Sequence, residues 1–124
     1  MSTVLIVEDN EKNMKLARDI LQAKGYQTVE AETGEEGVKL AKEKKPDLVL
    51  MDIQLPGING IEAFKQLRAD ESTAKIPVVA LTASVTPTDR SQITAAGFDA
   101  FISKPINLKE FVETVKRLVD GGKK

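Results

Sequence analysis

The chain has 124 residues, of which 30% are charged, with a formal net charge of −1 and neither cysteine nor histidine. Its length suits one domain with a proper core, and its balanced charge offers no field to attract nucleic acid or an anionic membrane. The missing residue types exclude disulfides, thiol catalysis, the commonest general base and soft metal sites, which leaves oxygen ligands and a hard cation such as Mg²⁺.

The first element is the wholly apolar run Val4–Val7, which is followed at once by two acids, Glu8 and Asp9. An unbroken apolar run of this length predicts a strand covered on both faces, and it is too short for a signal peptide or a membrane span. A soluble, cytoplasmic protein is therefore expected. A helix follows, with Met14, Ala17, Ile20 and Leu21 at core-facing spacing and Gly25 at its stop. Tyr26 to Ala31 predicts a weaker strand. Thr33 and Glu36 have the spacing of a capping box, opening a helix to about Lys44, where Pro46 prevents continuation.

Leu48–Met51 is a second wholly apolar strand, and it too ends on an acid, Asp52. Pro56, Gly57 and Gly60 then mark a loop of special geometry, and Asn59 with Glu62 caps a helix expected to bury Ile61, Phe64 and Leu67. Ile76–Leu81, with Pro77 near its start, predicts a fourth strand that delivers Thr82. The helix from Thr86-Pro87 to about Ala96 has Ile93 as its only bulky aliphatic residue, so loose attachment is expected. Phe98–Ile102 predicts a fifth strand, followed by Ser103, Lys104 and Pro105. Asn107 and Glu110 cap a last helix whose Leu108, Phe111, Val112, Val115, Leu118 and Val119 fit one apolar face, and 121–124 form a frayed tail.

Strands alternating with helices predict an α/β domain, 1–124, built on a parallel sheet of five strands with its core in 3–120. Ligands of such sheets bind outside the carboxyl ends of the strands. Glu8, Asp9, Asp52, Thr82 and Lys104 all fall at those ends. Taken singly, each has a plainer role: Asp52 as a turn residue, Glu8 and Asp9 as a solvated helix approach, Thr82 as a strand-end hydroxyl, Lys104 as a surface cation. Together they form a chemical set. Three acids in one pocket repel unless a positive charge sits among them, and a divalent cation, Mg²⁺ (or Mn²⁺), suits oxygen-only ligands. A metal, an ammonium group and a hydroxyl together can accommodate a phosphoryl group on a carboxylate, with Asp52 as nucleophile.

The ordered segments Val4-Leu-Ile-Val-Glu-Asp-Asn10, Asp47-Leu-Val-Leu-Met-Asp-Ile-Gln-Leu-Pro56 with Gly60, Val78-Val-Ala-Leu-Thr-Ala83 and Ser103-Lys-Pro105 resemble a response-regulator receiver domain of two-component signalling. The resemblance implies a flavodoxin-like, doubly wound fold with strand order 2-1-3-4-5. It implies that Asp52 accepts a phosphoryl group from a sensor histidine kinase or a histidine phosphotransfer protein. Asp9 is implied as the direct metal ligand, with Glu8 as its partner working mainly through water, and the backbone carbonyl of Gln54 as a further ligand. Lys104 is implied to contact the phosphoryl group, with a cis bond to Pro105. Thr82 is the implied switch hydroxyl and Phe101 the coupled aromatic, for which an ordinary core role is the plainer reading. Having no hydroxyl, Phe101 would act by packing. Gln54 and Ser84 sit at variable positions that influence how long the phosphoryl group survives.

On this reading the protein changes its affinity for an output partner through a face made by the fourth helix, fifth strand and fifth helix. It is expected to be no enzyme, to touch neither nucleic acid nor membrane directly, and to be a monomer or weak dimer. It would be either a stand-alone regulator or the receiver of a hybrid kinase. The rival reading is a Mg²⁺-dependent aspartyl-phosphate phosphohydrolase. Such enzymes carry a second acid two residues beyond the nucleophile, where this chain has Gln54, and a cap domain for which there is no room. A nucleotide- or flavin-binding fold lacks its Gly-rich phosphate loop here.

Overall fold

The computed structural model describes residues 2–53, 55, 58–82, 87–104 and 106–121. Five strands, β1 (Thr3–Val7), β2 (Gln27–Ala31), β3 (Leu48–Asp52), β4 (Val78–Thr82) and β5 (Ala100–Ser103), alternate with five helices, α1 (Glu11–Ala23), α2 (Gly34–Lys44), α3 (Gly60–Ala69), α4 (Pro87–Ala96) and α5 (Leu108–Gly121). All the strands are parallel and lie in the order β2-β1-β3-β4-β5. This is the flavodoxin-like winding, with β1 and β3 adjacent where its direction reverses.

The apolar runs predicted as strands fill both sides of the sheet, as their lack of polar alternation requires. Val4, Ile6, Leu48, Leu50, Val79, Leu81 and Ile102 pack on one face with Met14, Ala17 and Leu21 of α1 and Phe111, Val115 and Val119 of α5. The intervening residues Leu5, Val7, Val49, Met51 and Val78 pack on the other with Val38 and Ala41 of α2 and Ala63, Phe64 and Leu67 of α3. A one-residue slip in any central strand would exchange the two faces, so the register is held by burial on both sides.

Local signals fix the helix starts. The side-chain oxygen of Asn10 accepts from the Lys12 and Asn13 amides, that of Thr33 from Glu36, that of Asn59 from Glu62 and that of Asn107 from Glu110. Glu36 also reaches back, although to the amide of Glu32, one residue before the cap.

Three strands start later than the sequence pattern predicts. The Tyr26 amide donates to the Leu21 carbonyl, closing the end of α1, so β2 begins at Gln27. The Ile76 amide closes a turn onto Thr73, and Pro77 has no amide to donate, so β4 begins at Val78. Phe98 leaves the strand path to stack on Phe64, and β5 runs Ala100–Ser103. Three core expectations are also corrected. Leu108, the first residue of α5, is 58% exposed, and Ile61 and Val112 are only half-buried on the margins of α3 and α5. Ile93, the one bulky aliphatic of α4, is buried.

Gly60 sets the distance between α3 and the end of β3. A Cβ there would collide with the Asp52 carbonyl oxygen and come within 2.7 Å of the Ile53 Cα, both of them backbone atoms that cannot rotate away. Gly60→Ala is therefore expected to destabilise the protein by about 2 kcal/mol through forced backbone movement. This would be read as a lowered urea midpoint, and an unchanged midpoint would mean that α3 can retreat from β3 without loss.

Candidate functional site

The sheet register explains why distant acids meet. Val7 is level with Met51, and Asp52 is level with Leu81. Glu8, one residue past Val7, is therefore level with Asp52 on the neighbouring strand. The sheet's hydrogen bonding runs past the strand ends: the Glu8 amide donates to Ala31, the Ile53 amide to Leu81 and the Lys104 amide to Thr82. Each functional residue is thus tied by its own or an adjacent backbone group to the neighbouring strand.

Between Glu8 and Asp52 sits the ammonium of Lys104. Its Nζ lies 2.6 Å from Glu8 Oε1 and donates to Asp52 Oδ2 at 2.9 Å. Glu8 and Asp52 are almost wholly buried, as is Thr82 at the next strand end, whereas Asp9 is exposed at the rim. Glu8 Oε2 accepts from the Asn10 amide. Glu8 Oε1, although ion-paired, has no hydrogen-bond donor aligned on it. Phe101 is half-buried on β5, level with Ala80, and Thr82 is level with Ser103.

One carboxylate oxygen from each of Glu8, Asp9 and Asp52 lies within 4.8 Å of the others. Two ionised carboxylates at that separation repel by about 3 kcal/mol at an effective dielectric of roughly 20. Three carboxylates against one ammonium leave an excess of two negative charges. Protonation relieves part of it. Burial, then the contact with Asp52, pushes the Glu8 carboxyl up from 4.5 to about 7, against the opposing pull of Lys104 and the Asn10 amide. For Lys104, burial alone would lower the pKa, but its bonds to Glu8 and Asp52 outweigh this and hold it above the ordinary lysine value. A divalent cation would settle the same excess. The all-oxygen donor set and the unaligned Glu8 Oε1 fit Mg²⁺.

The residues read from the sequence as one chemical set, Glu8, Asp9, Asp52, Thr82 and Lys104, thus share the carboxyl ends of neighbouring strands. The Gln54 carbonyl, Ser84 and the Lys104–Pro105 bond lie outside the described residues. Sequence reasoning missed how deeply Glu8 is held. It stands 1% exposed against Lys104, and nothing in an acid pair after an apolar run tells which acid turns inward.

Comparison with known proteins agrees with this fold. The family model for the response regulator receiver domain matches residues 4–116. The chain is 50% identical over 114 residues to the polar-differentiation response regulator DivK of Brucella ovis, covering 92% of this chain and 93% of that one. The DivK of Brucella anthropi is 49% identical over the same shares. Among solved structures, the chain is similar to the receiver domain of a sensor histidine kinase from Pseudomonas aeruginosa, which has a magnesium ion coordinated in its active site cleft. That match has a TM-score of 0.90 and 30% identity, and covers 96% of this chain and 98% of the other. The signal receiver domain of a histidine kinase from Syntrophus aciditrophicus aligns with a TM-score of 0.91 and 32% identity, covering 98% and 92%.

Because the raised Glu8 pKa means the folded chain holds a proton that the unfolded chain has released, Glu8 contributes stability that is full below 4.5 and lost as pH rises through about 7. Thermal unfolding with a chelator present is expected to show the melting temperature falling across that window in the wild type, with a flatter profile in Glu8→Gln. Equal slopes would mean that Glu8 does not carry the proton.

Proposed function

The chain belongs to the response regulator receiver domain family, and from that premise we propose that it is a signalling switch set by phosphorylation of Asp52. The observation that carries the reading is the position of the Lys104 ammonium, in contact with both Asp52 and Glu8 at the carboxyl ends of β3 and β1. An oxygen of the Asp52 carboxylate attacks the phosphorus of a phosphohistidine on a sensor kinase or phosphotransfer protein. The P–N bond breaks, its electron pair returns to the imidazole, and an acyl phosphate remains on Asp52. Lys104, already beside Asp52, provides a point charge for a phosphoryl oxygen.

Glu8, Asp9 and Asp52 are the residues that would hold Mg²⁺ or Mn²⁺, with the Gln54 carbonyl as a further ligand. Bound there, the cation supplies charge neutralisation for the carboxylates and the transferring oxygens. The magnesium-bearing relative supports this assignment. Thr82 then closes its hydroxyl on the phosphoryl group, Phe101 repacks, and the face formed by α4, β5 and α5 changes its affinity for an output partner. The likeness to DivK supports an output of the polar-differentiation class. The polar composition of α4, with Ile93 as its one bulky aliphatic, suits an element with two arrangements close in energy.

Incubation with acetyl phosphate and Mg²⁺ is expected to add one phosphoryl group by intact-mass spectrometry, and Asp52→Asn is expected to abolish the gain. A gain that persisted in Asp52→Asn would put the acceptor elsewhere. For the switch, Thr82→Ala is expected to keep the mass gain while reducing, by roughly tenfold for 1.4 kcal/mol of lost coupling, the difference in partner affinity between the two forms. An undiminished difference in pull-down titrations would remove Thr82 from the coupling.

A further inference from the structure

At the opposite end of the sheet from the acids lies a cluster that the phosphoacceptor reading does not use. Arg68, near the end of α3, extends its guanidinium to three partners. Its Nη1 donates to the Ile76 carbonyl at 2.7 Å, its Nη2 donates to Asp99 Oδ2 at 2.9 Å, and its plane lies 4.7 Å above the centre of the Phe64 ring. Phe64 stacks on Phe98, with ring centres 4.1 Å apart and planes 20° from parallel. Asp99 is bonded twice to Val78: its amide donates to the Val78 carbonyl at 3.0 Å, and its carboxylate accepts from the Val78 amide at 2.8 Å. One side chain therefore ties α3 to the starts of both β4 and β5.

β5 needs such a tie. It lies at the sheet's edge, has four residues, and pairs with β4 alone. Its far end is tethered by Lys104, whose amide donates to Thr82 and whose ammonium reaches Asp52 and Glu8. Any change of charge at Asp52 therefore pulls on the exit of β5. A strand free at its start would answer that pull by sliding as a body. A strand anchored at its start must take it up internally, at Phe101 and in the α4 segment that turns into Phe98 through Gly97, whose φ is +100°. As an isolated ion pair a partly exposed Arg–Asp contact contributes little, but here the guanidinium also fills a backbone bond and a ring face, a set that lysine cannot reproduce.

We propose that Arg68 is a positioning residue of the switch, fixing the start of β5 through Asp99 and the Phe64–Phe98 stack so that a change at Asp52 is converted into repacking of Phe101 and α4. The proposal rests on the phosphoacceptor reading and adds to it a second fixed point, at the end of the sheet away from the chemistry.

The test compares amide NMR spectra of the full chain before and after acetyl phosphate and Mg²⁺, with the phosphoryl mass gain followed in parallel. Wild type is expected to show phosphorylation-dependent shifts at Ile93 and Phe101 as well as at Lys104. Arg68→Ala is expected to reach the same mass gain and keep the Lys104 shift, while the Ile93 and Phe101 shifts fall to less than half. Arg68→Lys, which preserves the charge beside Asp99, should recover part of them. Asp99→Asn, which can still accept from the Val78 amide but loses the ion pair, should lie between wild type and Arg68→Ala, and it serves in its place should Arg68→Ala not fold. Undiminished Ile93 and Phe101 shifts in a folded, phosphorylated variant would overturn the anchor and leave the acceptor reading standing. A variant that folds but loses the mass gain would also overturn it, since the cluster would then support the site itself. If wild type took up no phosphoryl group, the acceptor reading and the anchor would both fail.

Discussion

Everything at the working end of this protein depends on one half-buried ammonium. Without Lys104, Glu8 and Asp52 would face each other in a pocket that water barely reaches, and the end of the sheet would carry uncompensated charge. With it, two acids can be held at contact distance and still leave negative charge for a cation or a proton to balance. The site is thus neither a salt bridge built for stability nor an open acidic patch. It is held short of neutrality, with a balance that a proton or a cation can complete.

The parallel sheet makes this arrangement possible. Strands buried on both faces keep a register that burial enforces, so the residue after each strand is positioned by core packing it does not itself make. Glu8 and Asp52 face each other because Val7 is level with Met51, and Thr82 is held beside the exit of β5 by the same ladder. Gly60 then brings α3 close beneath the Asp52 carbonyl, so Asp52 is supported from below as well as from its neighbours.

Much of this was legible in the sequence, for a physical reason. Uninterrupted apolar runs ending in acids announce covered parallel strands, and the caps Thr33, Asn59 and Asn107 announce three of the helices that must cover them, whereas the Asn10 cap emerged only in the structure. Side-chain spacing could not tell where pairing begins, because Tyr26, Ile76 and Phe98 are apolar enough to belong to strands yet are drawn into a helix end, a turn and an aromatic stack. Leu108 fits the apolar face of α5 by spacing alone, but as the first residue of that helix it stays exposed. The burial of Glu8 and the bonds of Arg68 were hidden altogether. Each depends on a partner more than twenty residues away, Lys104 for the one and Asp99 for the other, and neither partner carries a local signature of the contact.

The contacts of Lys104 have one further consequence. It meets Asp52 across 52 residues of chain and joins Glu8, just past the first strand, to the exit of the last. No fragment and no half-folded intermediate can assemble the pocket, since β1, β3 and an edge strand paired on one side must all be in place first. Such an edge strand is among the first elements expected to open locally, and each opening dismantles the pocket while most of the core remains intact. The pocket is therefore complete only in molecules whose last strand has closed.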